Sequence, residues 1–317
     1  MKCIRVGIIG LGIVSKNHAE AFKSFSEVEF TAAADIDIKK CELFESEYKI
    51  HSYTDYKEMI KTEKLDAAVI ALPHGLHKEA AVFCAEHGVN ILLEKPMANT
   101  SLECEAIISA AKEYQIKLMI GHVQRYIAEN IKAKELINSG KYGKLVCVTD
   151  VRNVNYFTDV RPRWFFDKKL AGGGILMNYG VHSLDKLIWI ADSEIARVNG
   201  AASQFIPNIL VDGNAQLFVE LKSGVTAVLT YCGYNIPSVN ETIFYLTDGV
   251  IKLRTGNSVS ASSGGEFENI EVSDTATYFV HMWRDFIDLL NGNSENTPDG
   301  FYGMNIIKAV EKIINRR

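Results

Sequence analysis

The chain of 317 residues has no CxxC pair, no excess of basic residues and no apolar run long enough to span a bilayer. Each absence removes a class of function. Six cysteines, Cys3, Cys41, Cys84, Cys104, Cys147 and Cys232, lie far apart and mostly in apolar segments. They read as buried, reduced thiols in a reducing compartment. His74 and His77 have no third ligand at a spacing that suits a metal, so no metal is expected. The net charge is −5, with Lys and Arg scattered among acids, which argues against a nucleic-acid or membrane partner. A membrane helix needs about 18 or more consecutive apolar residues, and no segment provides them. The opening Met1-Lys2-Cys3-Ile4-Arg5 leads through a short apolar run into a glycine turn, so a secretory leader is not expected. No internal repeat or low-complexity segment occurs. What is there, 47% hydrophobic and 23% charged residues, suits a cytoplasmic globular protein of two domains.

The first 121 residues alternate two patterns. Short apolar runs at 4–9, 29–34, 67–71, 89–93 and 117–120 read as strands, and 16–25, 38–48, 55–62, 76–86 and 102–114 read as helices. Strands apolar on both faces, each followed by a helix, predict an α/β Rossmann domain with a doubly wound parallel sheet over 1–121. The remainder, 122–317, reads as one α+β domain with a large, mostly antiparallel open sheet. Its helices are expected at 127–139, 175–191, 277–290 and 304–315, with a strand at 145–152. Further strands between 196 and 272 are separated by turns at Asp212-Gly213, Lys222-Ser223-Gly224 and Asp248-Gly249.

Gly7-Ile8-Ile9-Gly10-Leu11-Gly12-Ile13-Val14-Ser15 joins the first strand to the first helix. Gly10 permits the tight turn, Gly12 lets a pyrophosphate approach the backbone, and the helix N-terminus offers N–H groups. Ser15 replaces the third glycine of this fingerprint with another small residue. Asp35 ends the second strand, where a carboxylate bonds the adenosine ribose and repels a 2′-phosphate. With Ile36 beside it, this selects NAD over NADP, although Lys39 and Lys40 are close. The alternative role for Asp35 is a helix cap.

Leu72-Pro73-His74-Gly75-Leu76-His77, Glu94-Lys95-Pro96 and Gly172-Gly173-Gly174 with Asn178 and His182 resemble the signatures of the glucose-fructose oxidoreductase / inositol dehydrogenase / MocA family. The likeness runs end to end, including Asn138-Ser139-Gly140-Lys141-Tyr142-Gly143. The resemblance implies a Rossmann domain followed by a sheet domain whose open face makes a homodimer or homotetramer. It implies an active site where the domains meet, and reversible oxidation of a secondary alcohol on a sugar, inositol or related polyol. Gly10, Gly12, Ile13, Val14, Asp35, Ile36, Leu72, Pro73, His74, His77, Glu94, Lys95 and Pro96 are the expected cofactor residues. Lys95, at the carboxyl end of the parallel sheet, would steady the substrate oxygen. His182 would exchange the hydroxyl proton. Asn178 stands where the family usually has Asp and would orient without carrying charge. Glu94 either positions Lys95 or touches the cofactor, and His77 either meets the cofactor or caps its helix. Arg125 serves the substrate or an ion pair. Tyr156, Arg161, Arg163 and Trp164 are candidate substrate-lining residues, Trp for a sugar face and Arg for an anion. Two other functions suit the same scaffold: a regulator that binds the dinucleotide without turnover, and an NAD-dependent glycosidase.

Overall fold

The computed structural model describes residues 3–272, 278–293 and 297–315. It divides into two compact units, Met1–Gly121 with Phe279–Met304, and His122–Tyr278 with Asn305–Arg317. The division at Gly121 falls where the sequence pattern changes. The expected continuity of 122–317 does not hold, because Phe279–Met304 packs with the first unit.

The first unit runs β1 (Ile4–Ile9), α1 (Ile13–Phe22), β2 (Val28–Ala34), α2 (Ile38–Tyr48), β3 (His51–Tyr53), α3 (Tyr56–Glu63), β4 (Ala67–Ile70), α4 (His77–Glu86), β5 (Asn90–Glu94), α5 (Ser101–Glu113) and β6 (Leu118–Gly121). The strands form one six-stranded sheet in the order β3-β2-β1-β4-β5-β6, parallel throughout. Strand order reverses between β1 and β4, the place where such sheets bind ligands beyond their carboxyl ends. β4 is buried at every position and β5 at all but its first, as strands covered on both faces must be. Strand β3, His-Ser-Tyr, escapes the sequence pattern because a polar three-residue edge strand has no apolar periodicity to read.

The second unit begins with α6 (Ala128–Asn138), β7 (Leu145–Asn153), α7 (Lys168–Ala171) and α8 (Val181–Ala191). It continues with β8 (Ile195–Ser203), β9 (Asn214–Leu221), β10 (Thr226–Cys232), β11 (Val239–Leu246), β12 (Gly249–Arg254), β13 (Ser258–Ser262) and β14 (Glu268–Ile270). The eight-stranded sheet has the order β14-β13-β12-β11-β7-β10-β9-β8, antiparallel except where β7 meets β10. Burial alternates along β9 and β10, leaving Phe218 and its cross-strand partner Val228 43% and 46% exposed on the open face.

Three sequence expectations are corrected here. The expected helix 175–191 opens as a π-helix over Leu176–Gly180 before α8 begins. Asp212 is no simple turn residue. It is buried, and its carboxylate accepts N–H bonds from Gly174 at 2.6 Å and Leu176 at 2.8 Å. Gly174 is required there, since a Cβ would collide with the Asp212 backbone. The last helix, α10 (Gly300–Ile314), starts earlier than expected, because Asp299 accepts the Tyr302 N–H and offsets glycines at 300 and 303. The expected start of the preceding helix at Thr277 lies outside the described residues. Cys41, Cys84 and Cys104 are buried free thiols, as expected, whereas Cys3, Cys147 and Cys232 are half-buried.

Helix α9 (Tyr278–Leu290) returns the chain to the first unit by an apolar stripe of Phe279, Met282, Trp283, Phe286 and Ile287. Trp283 is fully buried, packs edge-on against Phe22 at 4.6 Å, and donates its indole N–H to His18 Nδ1 at 3.0 Å. In the second unit, Lys186 of α8 meets Asp150 of β7 at 2.8 Å, both 2% exposed, and Thr242 donates to the same carboxylate oxygen at 2.6 Å. Burial opposes ionisation of Asp150, but the Lys186 ammonium and the neighbouring hydroxyls outweigh it and hold the carboxyl below its ordinary value.

Trp283→Phe keeps the ring and leaves His18 without its donor. It should cost about 1–3 kcal/mol, read from denaturant midpoints; an unchanged midpoint would remove the indole bond from the account. Because the Asp150 carboxyl is depressed, its stabilising contribution is complete above the unfolded-state value of about 4 and is lost as pH falls through the folded value. Asp150→Asn should abolish that acid-limb dependence and cost about 3–5 kcal/mol at neutral pH, since Lys186 stays buried without its counter-ion.

Candidate active site

The turn after β1 is shaped by sterics and by one carboxylate. Gly10 has φ +92°, and a Cβ would lie 2.6 Å from the Ala71 carbonyl oxygen, so no other residue fits without a shift. Asp35 Oδ2 accepts the Leu11 N–H at 2.8 Å and Oδ1 accepts the Asp37 N–H at 2.9 Å, tying the end of β2 to the turn. Lys40 Nζ lies 3.2 Å from Asp35 Oδ2. Helix α1 has no side-chain cap at Gly12, and space is open around that glycine. Its first N–H groups are therefore available to an anion. Ile13 and Ile36 are 85% and 94% exposed, apolar surfaces on either side of Asp35 in the sequence that suit a planar base. Val14 is half-buried, and Ser15 is buried with its hydroxyl on the Gly12 carbonyl. These residues fit a dinucleotide: uncapped N–H groups for its phosphates and a carboxylate with acceptor capacity left for ribose hydroxyls.

Glu94-Lys95-Pro96 leaves the carboxyl end of β5. Glu94 is buried and lies 2.9 Å from His18 Nε2. Because an indole N–H can only donate, Trp283 makes His18 Nδ1 an acceptor, so Nε2–H donates to Glu94. A chain from Trp283 through His18 thus fixes the residue before Lys95. On the other side, His77 is fully buried with its ring nitrogens on the carbonyls of Pro96 at 3.0 Å and Leu72 at 2.8 Å. Burial lowers the His77 pKa against the pull of those carbonyls. His77 is thereby a brace between two loops. His74 is also buried, with its ring 5.9 Å from that of His77, while Leu72, Pro73 and Lys95 are half-buried.

In the second unit, Asn178 lies in the π-helix and His182 in the first turn of α8, 8% and 7% exposed. The Asn178 N–H bonds the Gly174 carbonyl at 3.0 Å, so the glycine triplet and the Asp212 carboxylate set its position. A π-turn often marks a functional site. Tyr156 is fully buried, with its hydroxyl facing the Asn178 side chain. Arg125 makes the ion pair: its Nε lies 2.7 Å from Asp185 Oδ1, on the turn of α8 after His182. Arg163 is exposed, and Trp164 stacks on Phe165 at 3.7 Å. Arg161 donates to the Tyr156 carbonyl at 2.7 Å and lies over the Tyr156 ring at 4.2 Å. The sequence reading passed over Asp150, Arg152, Asp185, Lys186 and Asp212. One signal was available: Asp185 and Lys186 are charges inside Val181–Ala191, a helix otherwise apolar almost all round.

Residues 4–122 match the oxidoreductase family with an NAD-binding Rossmann fold, GFO/IDH/MocA, and residues 130–252 match the C-terminal domain of the same family. The chain is 28% identical to 1-carboxy-3-chloro-3,4-dihydroxycyclohexa-1,5-diene dehydrogenase of Comamonas testosteroni over 77% of this chain and 62% of that protein, less than two thirds of its length. It is 28% identical to the rhizopine catabolism protein MocA of Rhizobium meliloti over 73% of this chain and 71% of that one. The aldose-aldose oxidoreductase of Caulobacter crescentus, crystallised with glycerol, has the same fold, with TM-score 0.90, 24% identity and coverage of 99% and 97% of the two chains. The two family matches together take in most of the sequence, and the chain belongs to the GFO/IDH/MocA oxidoreductase family, with its NAD-binding Rossmann fold.

Proposed function

We propose that this protein is an NAD-dependent dehydrogenase that interconverts a secondary alcohol and a ketone on a sugar, inositol or related polyol. The observation that carries this reading is Lys95 at the carboxyl end of β5, held between the Trp283–His18–Glu94 chain and the His77 brace on Pro96. A lysine whose backbone is braced on both sides at the ligand-binding edge of a parallel sheet suits an electrostatic task. The bound dinucleotide supplies the hydride acceptor. Gly10, Gly12, Ile13, Val14, Asp35 and Ile36 would hold it, with Leu72, Pro73, His74 and Glu94-Lys95-Pro96 around its reactive end. Lys95 donates a hydrogen bond to the substrate oxygen and stabilises charge as the O–H bond breaks. His182 takes the hydroxyl proton, and Asn178 orients the hydroxyl. Asn178 adds no negative charge, so Lys95 carries more of the electrostatic load than it would beside a carboxylate.

The named ring substrate of the Comamonas testosteroni relative carries hydroxyl groups, which supports a polyhydroxylated ring as substrate. Substrate candidates Arg125 and Tyr156 act through their neighbours, Asp185 and Asn178, while Trp164 and Arg163 remain candidates for direct contact. The open sheet face around Phe218 and Val228 supports assembly into a homodimer or homotetramer. No helix among the described residues is long and apolar enough to cross a membrane, and the free thiols fit a cytoplasmic setting.

A panel of sugars, inositols and sugar acids assayed by NADH absorbance tests the reading. Lys95→Ala should lower kcat by about 100- to 1000-fold with NADH binding retained, and equal turnover by both proteins would remove Lys95 from the chemistry. Glycoside cleavage without net NADH would replace the proposal with the glycosidase. Asp35→Asn keeps an acceptor for Leu11 and removes the charge. It should raise KM for NAD by about tenfold and narrow the preference over NADP; an unchanged NAD to NADP ratio would take Asp35 out of cofactor selection.

A further inference from the structure

Among the described residues of the second unit, the buried charges have partners, whereas two half-buried arginines near Asn178 lack a carboxylate partner. Asp150 is paired with Lys186, Asp185 with Arg125, and Asp212 with two backbone N–H groups. Arg152 and Arg161 form no ion pair among the described residues. Arg152 lies two residues beyond Asp150 on β7, so its side chain leaves the same face of the sheet. Its guanidinium sits 4.7 Å from the Tyr179 ring centroid, and its one polar contact is a long 3.4 Å bond to Asn240. Arg161 approaches Tyr179 from the loop before α7, 6.0 Å from the ring centroid and 3.4 Å from its hydroxyl. Tyr179 therefore has a guanidinium at each of two contacts, and Tyr179 is the residue next to Asn178 in the π-helix. Tyr156, beneath Arg161, faces the Asn178 side chain.

A guanidinium has five N–H donors; Arg161 uses its Nε–H on the Tyr156 carbonyl at 2.7 Å, and ring contacts do not fully satisfy the donors that remain. Burial pulls the Arg152 pKa below its ordinary value against the opposing pull of Tyr179 and Asp150, and Asp150 itself is already paired with Lys186. Two guanidinium groups around Tyr179, the neighbour of the substrate-orienting residue, create a positive potential that a neutral polyol does not use. The neutral amide of Asn178 preserves that potential, where a carboxylate would cancel part of it. A planar carboxylate matches guanidinium donors in geometry as well as charge.

We infer that Arg152 and Arg161 form an anion subsite beside Asn178, and that the alcohol oxidised is a polyol bearing a carboxylate, a sugar acid in the broad sense. The inference rests on the dehydrogenase reading for what happens to the alcohol, but the subsite can be tested by binding alone. D-gluconate and sorbitol differ at one carbon, carboxylate against hydroxymethyl. Titration calorimetry on the full chain with saturating NADH should show gluconate binding about tenfold or more tighter than sorbitol, with an advantage that shrinks as salt rises. Arg161→Gln, on a loop, and Arg152→Lys, which keeps the charge but loses the fork, cover the case in which Arg152→Gln fails to fold. Arg161→Gln should remove most of the gluconate advantage and Arg152→Lys part of it. Asn178→Asp should also weaken gluconate relative to sorbitol. Equal binding of the two ligands, or an advantage that survives Arg161→Gln and Arg152→Lys unchanged, overturns the subsite. Tight gluconate binding lost on Arg161→Gln, yet with no NADH formed from any sugar acid, supports the subsite and overturns the dehydrogenase reading instead.

Discussion

A charge taken out of water must meet an opposite charge or several hydrogen bonds, and the second unit is organised around that constraint. Helix α8 carries Asp185 and Lys186 into the interior, at 0% and 2% exposure. Each can lie there only because a partner on another element reaches it, Arg125 after β6 and Asp150 on β7. These two contacts fix both the rotation of α8 and its height over the sheet, and with them the place of His182. Asp212 performs the same service one turn earlier, where it holds the opening of the π-helix by two N–H bonds and so positions Asn178. The half-buried arginines near Tyr179 have no carboxylate partner among the described residues, which is the ground for the proposed anion subsite.

The first unit solves a different problem, how to hold a flexible lysine at the edge of a sheet. The lysine's neighbours are held by a set of buried hydrogen bonds. Trp283 dictates which nitrogen of His18 carries the proton, and that proton orients Glu94. Burial lowers the His77 pKa against the pull of the Leu72 and Pro96 carbonyls, and the ring packed between them links the two loops. With its neighbours on both sides fixed, the backbone that carries Lys95 is placed before a substrate arrives.

The fold was largely legible in the sequence, because hydrophobic periodicity is a local signal. Strands apolar on both faces announced the parallel sheet, and the glycine turn announced its ligand edge. Lys95, Asn178 and His182 could be singled out as candidates because they stand in short motifs. What was hidden depends on pairs far apart in the chain. Nothing near Trp283 says that it belongs with His18, so the return of α9 to the first unit could not be read. Asp150 and Lys186 look like ordinary polar residues until the sheet brings them together. The π-helix is invisible for the same reason: it arises from Asp212 pulling on Gly174 and Leu176, a contact across more than thirty residues. The position of His77 between the Leu72 and Pro96 carbonyls was likewise hidden, because Pro96 lies 19 residues away in the chain.

The central claim is that an alcohol carbon gives up its hydrogen to the dinucleotide while His182 receives the hydroxyl proton. The most direct measurement is isotope transfer in a single turnover, with a polyol or sugar acid deuterated at the alcohol carbon and mixed with excess protein and NAD. The account predicts that the deuterium leaves with the reduced dinucleotide and that a ketone is the product. Deuterium found in water, or retained in a product with no ketone, would contradict it.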